Sequence, residues 1–293
     1  MNAVERLYAY AVQLPQEDPP HLDKTDPGSA SSKSWLQAGE IKFTNVHLRY
    51  RPGLPESLRG VTLHIKPGEH AAIVGRTGAG KSYMINALFR MTELSGGNIT
   101  IDGTDISSLR PRSLRGALSI IPQDANLFSG TVRSNLDPFD AFSDAQLWDG
   151  LRAAGGLHET LYLSDTVRHG GANLSQGQRE LLALARLLVR GDGNRVLVCD
   201  EATAALDADT DDRMQGVLRA AFRDRTIICI AHRLRTVLWY DRVYVMDQGR
   251  VAEEGSPLEL FRRQGGMFRA MCVRHGITDE QVVESADSAR RDS

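Results

Sequence analysis

Gly75-Arg76-Thr77-Gly78-Ala79-Gly80-Lys81-Ser82 sets the architecture of this chain. It follows a short apolar run, AAIVG at 71–75, and precedes MINALFRM at 84–91. The first reads as a buried strand ending in glycine, the second as a helix. The pattern between them, G-x-x-x-x-G-K-S, has a mechanical logic. Its glycines let consecutive backbone N–H groups turn inward. The helix that follows adds the positive end of its dipole. Together they make a cradle for a polyphosphate, with Lys81 reaching the β- and γ-phosphates and Ser82 ligating Mg²⁺. A plain glycine-rich turn would account for the glycines. It would not account for Lys-Ser in register with both strand and helix.

Working outward, three more short apolar runs read as buried parallel strands: VLVCD (196–200), TIICIA (226–231) and RVYVM (242–246). Helical patterns lie between them. In 175–189, Leu181, Leu184, Ala185 and Leu188 share one face. Strand and helix in alternation predict an α/β domain with parallel crossovers. Two earlier segments, 41–49 (IKFTNVHLR) and 61–65 (VTLHI), read as strands of a partly exposed antiparallel piece. The run 196–200 ends in two acids, Asp200 and Glu201. Ligands in such sheets bind beyond the carboxyl ends of the strands. Asp200 is therefore placed to hold Mg²⁺, directly or through water, and Glu201 to polarise an attacking water as general base. These residues define a P-loop NTPase: a kinase, a GTPase, a helicase motor or a transport ATPase.

Composition narrows the class from the other side. The 293 residues carry 35 Lys plus Arg and 37 Asp plus Glu, a net charge of −2. That balance argues against a dedicated nucleic-acid binder, which shows a basic field. Hydrophobic residues at 41% and charged residues at 25% exclude wholesale disorder. No run approaches 18 apolar residues, and MNAVERLYAY at the N-terminus lacks the apolar centre of a secretory signal. Of three cysteines, Cys199 and Cys229 sit inside apolar runs and read as buried thiols in a reducing compartment.

The chain divides by composition. Residues 1–14 have helical spacing in Val4, Leu7, Ala11 and Leu14. Residues 15–40 hold four prolines and a serine cluster, and read as a linker. Residues 41–276 are globular. Residues 277–293 form a polar tail expected to fray.

Asn173-Leu174-Ser175-Gln176-Gly177-Gln178-Arg179 opens the amphipathic helix. Ser175-x-x-Gln178 fits a capping box. The same N–H groups, with Ser175 and Gly177, also suit an anion. This segment resembles the Leu-Ser-Gly-Gly-Gln signature of ATP-binding-cassette (ABC) ATPases. Further positions match that family in order: Tyr50 in LRYRPG, Gln123 in IIPQD, Ala205-Leu206-Asp207, and His232 after TIICIA. The resemblance covers about 41–275. It is closest to the second nucleotide-binding domain of C-subfamily multidrug-resistance-associated and fungal oligomycin-resistance-like exporters. RYRPGLP (49–55), GNITIDGTDIS (97–107), IIPQDANLFSGTVRSNLDPF (120–139) and DEATAALD (200–207) carry that likeness. MNAVERLYAYAVQLPQEDPP (1–20) resembles the exit from a last membrane helix, and FRAMCVRHGI (268–277) the C-terminus of that group.

The resemblance implies a RecA-like P-loop core with a mainly parallel sheet, an antiparallel β subdomain and a helical, signature-bearing subdomain at about 124–190. It implies head-to-tail pairing with a second cassette, expected to be non-identical, with ATP between them. Tyr50 would stack on adenine; Gly75, Arg76, Thr77, Gly78, Ala79, Gly80, Lys81 and Ser82 would hold the phosphates. Gln123 would sense Mg²⁺ and water, and His232 would contact the γ-phosphate. Leu174, Ser175, Gln176, Gly177 and Gln178 would face the partner's ATP, and Asp207 would line the interface. One departure stands out: Gln176 replaces the consensus glycine. The family further implies a transmembrane-domain partner, docked on an insertion offering Phe128, Leu136, Phe139, Phe142 and Trp148. It places the chain at the cytoplasmic face of a plasma or vacuolar membrane, with no nucleic-acid partner. Two alternatives remain at this level: a soluble ABC ATPase not coupled to transport, and a regulatory cassette that binds ATP with little turnover.

Overall fold

The computed structural model describes Tyr8 and residues 35–51, 53–191, 194–200, 208–231 and 233–291. In chain order the main elements are β1 (Ile41–Leu48), β2 (Leu58–Ile65), β3 (His70–Gly75), α1 (Lys81–Leu88), β4 (Gly96–Ile101), β5 (Thr104–Asp105), α2 (Pro111–Ala117), β6 (Leu118–Ile121), β7 (Gly130–Thr131), α3 (Val132–Leu136), α4 (Asp144–Ala153), β8 (Thr166–Val167), α5 (Gln176–Arg190), β9 (Val196–Asp200), α6 (Ala208–Ala221), β10 (Thr226–Ile230), α7 (Leu234–Val237), β11 (Arg242–Asp247), β12 (Arg250–Gly255), α8 (Pro257–Arg262), α9 (Met267–Arg274) and α10 (Asp279–Arg291).

Among the described residues, six strands make the central sheet in the order β12-β11-β3-β10-β9-β6. All neighbours run parallel except the edge pair β11 and β12. The expected apolar runs are these parallel strands. Their continuous hydrophobicity follows from burial on both faces. Ala71 and Ile73 of β3 face one core with Val196, Val198, Ile228 and Ile230. Ala72 and Val74 face the other, with Leu197, Cys199, Ile227 and Cys229. The first core is closed by α1 and by an antiparallel sheet, β2-β1-β4-β5, as the alternation in 41–49 predicts. The second is closed by α5 and the insertion before it, through Leu147, Leu151, Leu181, Leu182 and Leu184. Truncating any one of these leucines to alanine costs about 2–5 kcal/mol.

The apolar spacing in 175–189 becomes α5, started by Ser175 and stopped by Gly191 in the left-handed region. Of the five apolar docking candidates, Leu136 is buried, and Phe142 and Trp148 pack against the helical core. Only Phe128 and Phe139 are exposed, Phe139 at 82%. The expected frayed tail is instead largely helical: α10 packs against α8, with Ile277 and Val282 buried. Two apolar residues among many polar ones suffice to dock it, which composition does not reveal. At the other end, Trp35 is buried in the first core. The amides of residues 37–40 all donate to the Asp102 carboxylate, at 2.7–3.1 Å.

Candidate active site

The parallel strands bring their carboxyl ends to one edge. There β3 runs into the glycine-rich loop and α1. Gly75 and Gly80 are conformationally obligatory. At Gly75 a Cβ would lie 2.4 Å from the Met246 carbonyl oxygen. Gly80 has φ +104°, and a Cβ there would lie 2.9 Å from the Ser57 carbonyl oxygen. The loop is pinned from outside by Gly249, whose N–H donates to the Ala79 carbonyl at 2.9 Å. Gly80 caps α1 with no side-chain hydrogen bond and no acid in the first turn. Its leading N–H groups are thus presented for an anion. Lys81 is buried and lies back over the loop, donating to the carbonyls of Gly75 at 2.9 Å and Arg76 at 3.3 Å. Arg76, Thr77, Gly78 and Ser82 are exposed; Ala79 is buried beneath them.

Asp200 ends β9, two strands from β3 across β10. At ~4.8 Å per strand that is roughly 10 Å from the loop. Gln123 is exposed two residues beyond β6, the parallel neighbour of β9. The loop after it is tied to α5: Arg186 donates to the carbonyls of Asn126 at 3.3 Å and Asn135 at 2.8 Å. Buried Asn135 in turn exchanges hydrogen bonds with the backbone of Phe128. Tyr50 is half exposed just after β1, its ring edge-on to Tyr83 of α1 at 6.5 Å. Tyr50, the phosphate loop, Gln123 and Asp200 therefore gather around one edge. Glu201, Asp207 and His232 lie outside the described residues.

The signature is built separately, at the start of α5. Ser175 Oγ accepts from the Gln178 N–H at 3.1 Å, and Gln178 Oε1 accepts from the Ser175 N–H at 3.0 Å. The expected capping box is present. Leu174 packs on the helical core, while Gly177 follows in the first turn. Among the described residues, none of the hydrogen bonds made by Ser175, Gln176 or Gln178 reaches the phosphate loop. Sequence reasoning missed what Gln176 does. Its amide accepts from Arg179 and donates to Glu180 at 2.5 Å. The i, i+3 and i, i+4 spacing of three polar residues was the available signal. Burial pushes the Glu180 carboxyl up, against the Gln176 hydrogen bond and the Arg179 charge.

Fold and site together define a P-loop nucleotide-binding domain. The protein-family model described as "ABC transporter" matches residues 58–204. The ABC-type transporter cicA of Emericella nidulans is 48% identical over 97% of this chain and 21% of that protein. The oligomycin resistance ATP-dependent permease YOR1 of Saccharomyces cerevisiae is 44% identical over 95% of this chain and 20% of its own length. ATP-binding cassette sub-family C member 2 of Rattus norvegicus is 46% identical over 96% of this chain and 18% of its own length. A bacterial Atm1-family ABC exporter, solved with ATP bound, superposes with a TM-score of 0.77 at 37% identity, covering 83% of this chain and 43% of that one. The chain spans about a fifth of the length of the curated relatives it matches. It belongs to the ABC transporter family, resembling C-subfamily exporters, and carries that family's ATP-hydrolysing domain.

Proposed function

We propose that this chain is the second cassette of a C-subfamily-like exporter, hydrolysing MgATP at the cytoplasmic face of a plasma or vacuolar membrane to drive export. The observation that carries the reading is the phosphate loop itself: uncapped N–H groups at α1, Lys81 laid across them, and Asp200 at the same sheet edge. In this reading residues 1–14 leave a membrane helix, 15–40 link, 41–276 form the cassette and 277–293 are its polar tail. A non-identical second cassette pairs with it head to tail. Exposed Phe128 and Phe139 suit contact with a transmembrane domain.

The chemistry follows from the residues. Tyr50 stacks on adenine, and residues Gly75 to Ser82 surround the phosphates. Lys81 exchanges its carbonyl partners for phosphate oxygens. Ser82, Gln123 and Asp200 offer oxygen donors, the set that suits a hard divalent cation such as Mg²⁺. When bound, Mg²⁺ supplies charge neutralisation on the β- and γ-phosphates. Glu201 takes a proton from the attacking water, and His232 holds the γ-phosphate. Leu174 to Gln178 complete the partner's site, and Asp207 lines the interface. Phosphoryl transfer needs mostly positioning and charge.

The test is steady-state MgATP hydrolysis by the purified chain across protein concentration. Glu201→Gln should bind ATP yet turn over ~10²–10⁴-fold more slowly, the usual cost of a lost general base. Turnover equal to the wild type would overturn that role. Activity rising faster than linearly would mean self-pairing rather than a non-identical partner.

A further inference from the structure

The turn between β11 and β12 belongs to none of the family motifs, yet it touches the phosphate loop. Asp247 pairs with Arg250, and the two residues between them are left-handed, Gln248 at φ +46° and Gly249 at φ +80°. That is the geometry of a two-residue I′ hairpin turn. β11 runs parallel to β3 with Met246 opposite Gly75, so the turn lies beside the start of the loop. Gly249 is buried there, and both of its backbone groups are committed. Its N–H donates to the Ala79 carbonyl at 2.9 Å, and its carbonyl accepts from the Arg59 N–H at 2.8 Å. Arg59 is the second residue of β2, which follows the loop that carries Tyr50. That loop is closed at its base by the Ser57 N–H, donating to the Leu48 carbonyl at 2.8 Å. Gly249 thus bridges the base of the Tyr50 loop and the phosphate loop by direct hydrogen bonds. The fit is close on every side. A Cβ on Gly249 would lie 2.6 Å from the Ser57 carbonyl oxygen, the same atom that would lie 2.9 Å from a Cβ on Gly80. A ligand that engages two half-sites at once gains affinity only when their separation matches its own length.

We propose that Gly249 is a positioning residue for nucleotide binding: its two backbone hydrogen bonds fix the separation between the Tyr50 loop and the phosphate loop, so that one ATP engages both. Gly249 itself touches neither adenine nor phosphate in this role. The inference rests on the proposed assignment of Tyr50 to adenine and of residues 75–82 to the phosphates.

Isothermal titration of the whole chain with MgATP and with magnesium tripolyphosphate tests this. ATP spans both half-sites, whereas tripolyphosphate engages only the loop. Arg59→Pro deletes the donor to the Gly249 carbonyl, at the start of an edge strand, where proline is tolerated. Arg59→Ala deletes the same guanidinium and keeps that donor, so the difference between the two reads the backbone bond alone. Arg59→Pro should bind ATP about tenfold more weakly than Arg59→Ala, the scale of one lost hydrogen bond, and tripolyphosphate within about twofold of it. Gly249→Ala acts from the other side, pressing a Cβ against the Ser57 carbonyl. It should show the same ATP-only loss against the wild type, and it decides the question if the proline variant does not fold. Equal losses for both ligands would mean that the bridge holds the loop's own shape and not a spacing. Unchanged ATP affinity would mean that the bridge is idle. Either result overturns the proposal. A wild-type chain that binds tripolyphosphate no more weakly than ATP overturns the Tyr50 role beneath it. A chain that binds neither ligand overturns the functional reading itself.

Discussion

Two helix N-termini, at α1 and α5, carry the same physical feature and use it in opposite ways. At α1 the cap is a left-handed glycine with no side chain to offer, so no side-chain oxygen closes off the first turn, and Lys81 lies back over the loop. At α5 the cap is Ser175, whose hydroxyl is already committed to the Gln178 N–H, while Gln178 returns the bond. One terminus is organised for an anion of its own. The other satisfies itself, and a phosphate approaching Ser175 must share or displace a capping bond. That difference suits the proposed function, in which the loop binds this chain's ATP and residues 174–178 meet ATP held by another cassette. A third set of N–H groups, at residues 37–40, has its anion built in as Asp102.

The contrast can be broken in order of expected effect. Lys81→Ala removes the cation at the open terminus. Charged hydrogen bonds of this kind contribute about 1.5–3 kcal/mol. ATP affinity measured by a fluorescent analogue should fall ~10- to 100-fold, while Ser175→Ala leaves it unchanged. A Lys81 variant with wild-type affinity would mean that the α1 terminus is not the binding site. Gly80→Ala attacks the loop's shape. A left-handed φ and a Cβ 2.9 Å from the Ser57 carbonyl should cost about 1–3 kcal/mol in chemical unfolding.

Ser175→Ala opens the self-satisfied terminus. The loss should be ~1 kcal/mol, a melting shift of roughly 2–4 °C for a chain of this size. No shift would mean that the capping box contributes little. The smallest effect is at Asp102. Burial alone would raise its carboxyl, but four consecutive backbone N–H groups outweigh burial and hold it below the ordinary value of 3.8. A depressed folded value means the stabilisation is fully present above that ordinary value and is lost as pH falls toward the lower folded one. Unfolding midpoints should therefore drop more steeply below about pH 4 in the wild type than in Asp102→Asn.

What could be read without tertiary contacts was whatever sits on neighbouring residues. The phosphate loop spans eight consecutive positions, and its glycines, lysine and serine state the chemistry locally. The apolar runs of β3, β9, β10 and β11 announced parallel strands because burial on both faces leaves no polar alternation. The Ser175–Gln178 box was legible because a helix start is a four-residue affair. Other features depended on distance along the chain. Asp102 reaches amides 62 to 65 residues away, so nothing near it marks it as a clamp. Leu136 and Phe139 are three residues apart and equally apolar, yet packing against α5 buries one and leaves the other exposed. Gln176 looked like a departure from consensus. In the structure its amide accepts from Arg179 and donates to buried Glu180. The sequence by itself determined the nucleotide cradle and the layered α/β architecture, because short-range spacing and backbone sterics suffice for both. Tertiary structure alone decided which polar residues meet in the interior, because those partners are chosen by how helices and strands pack.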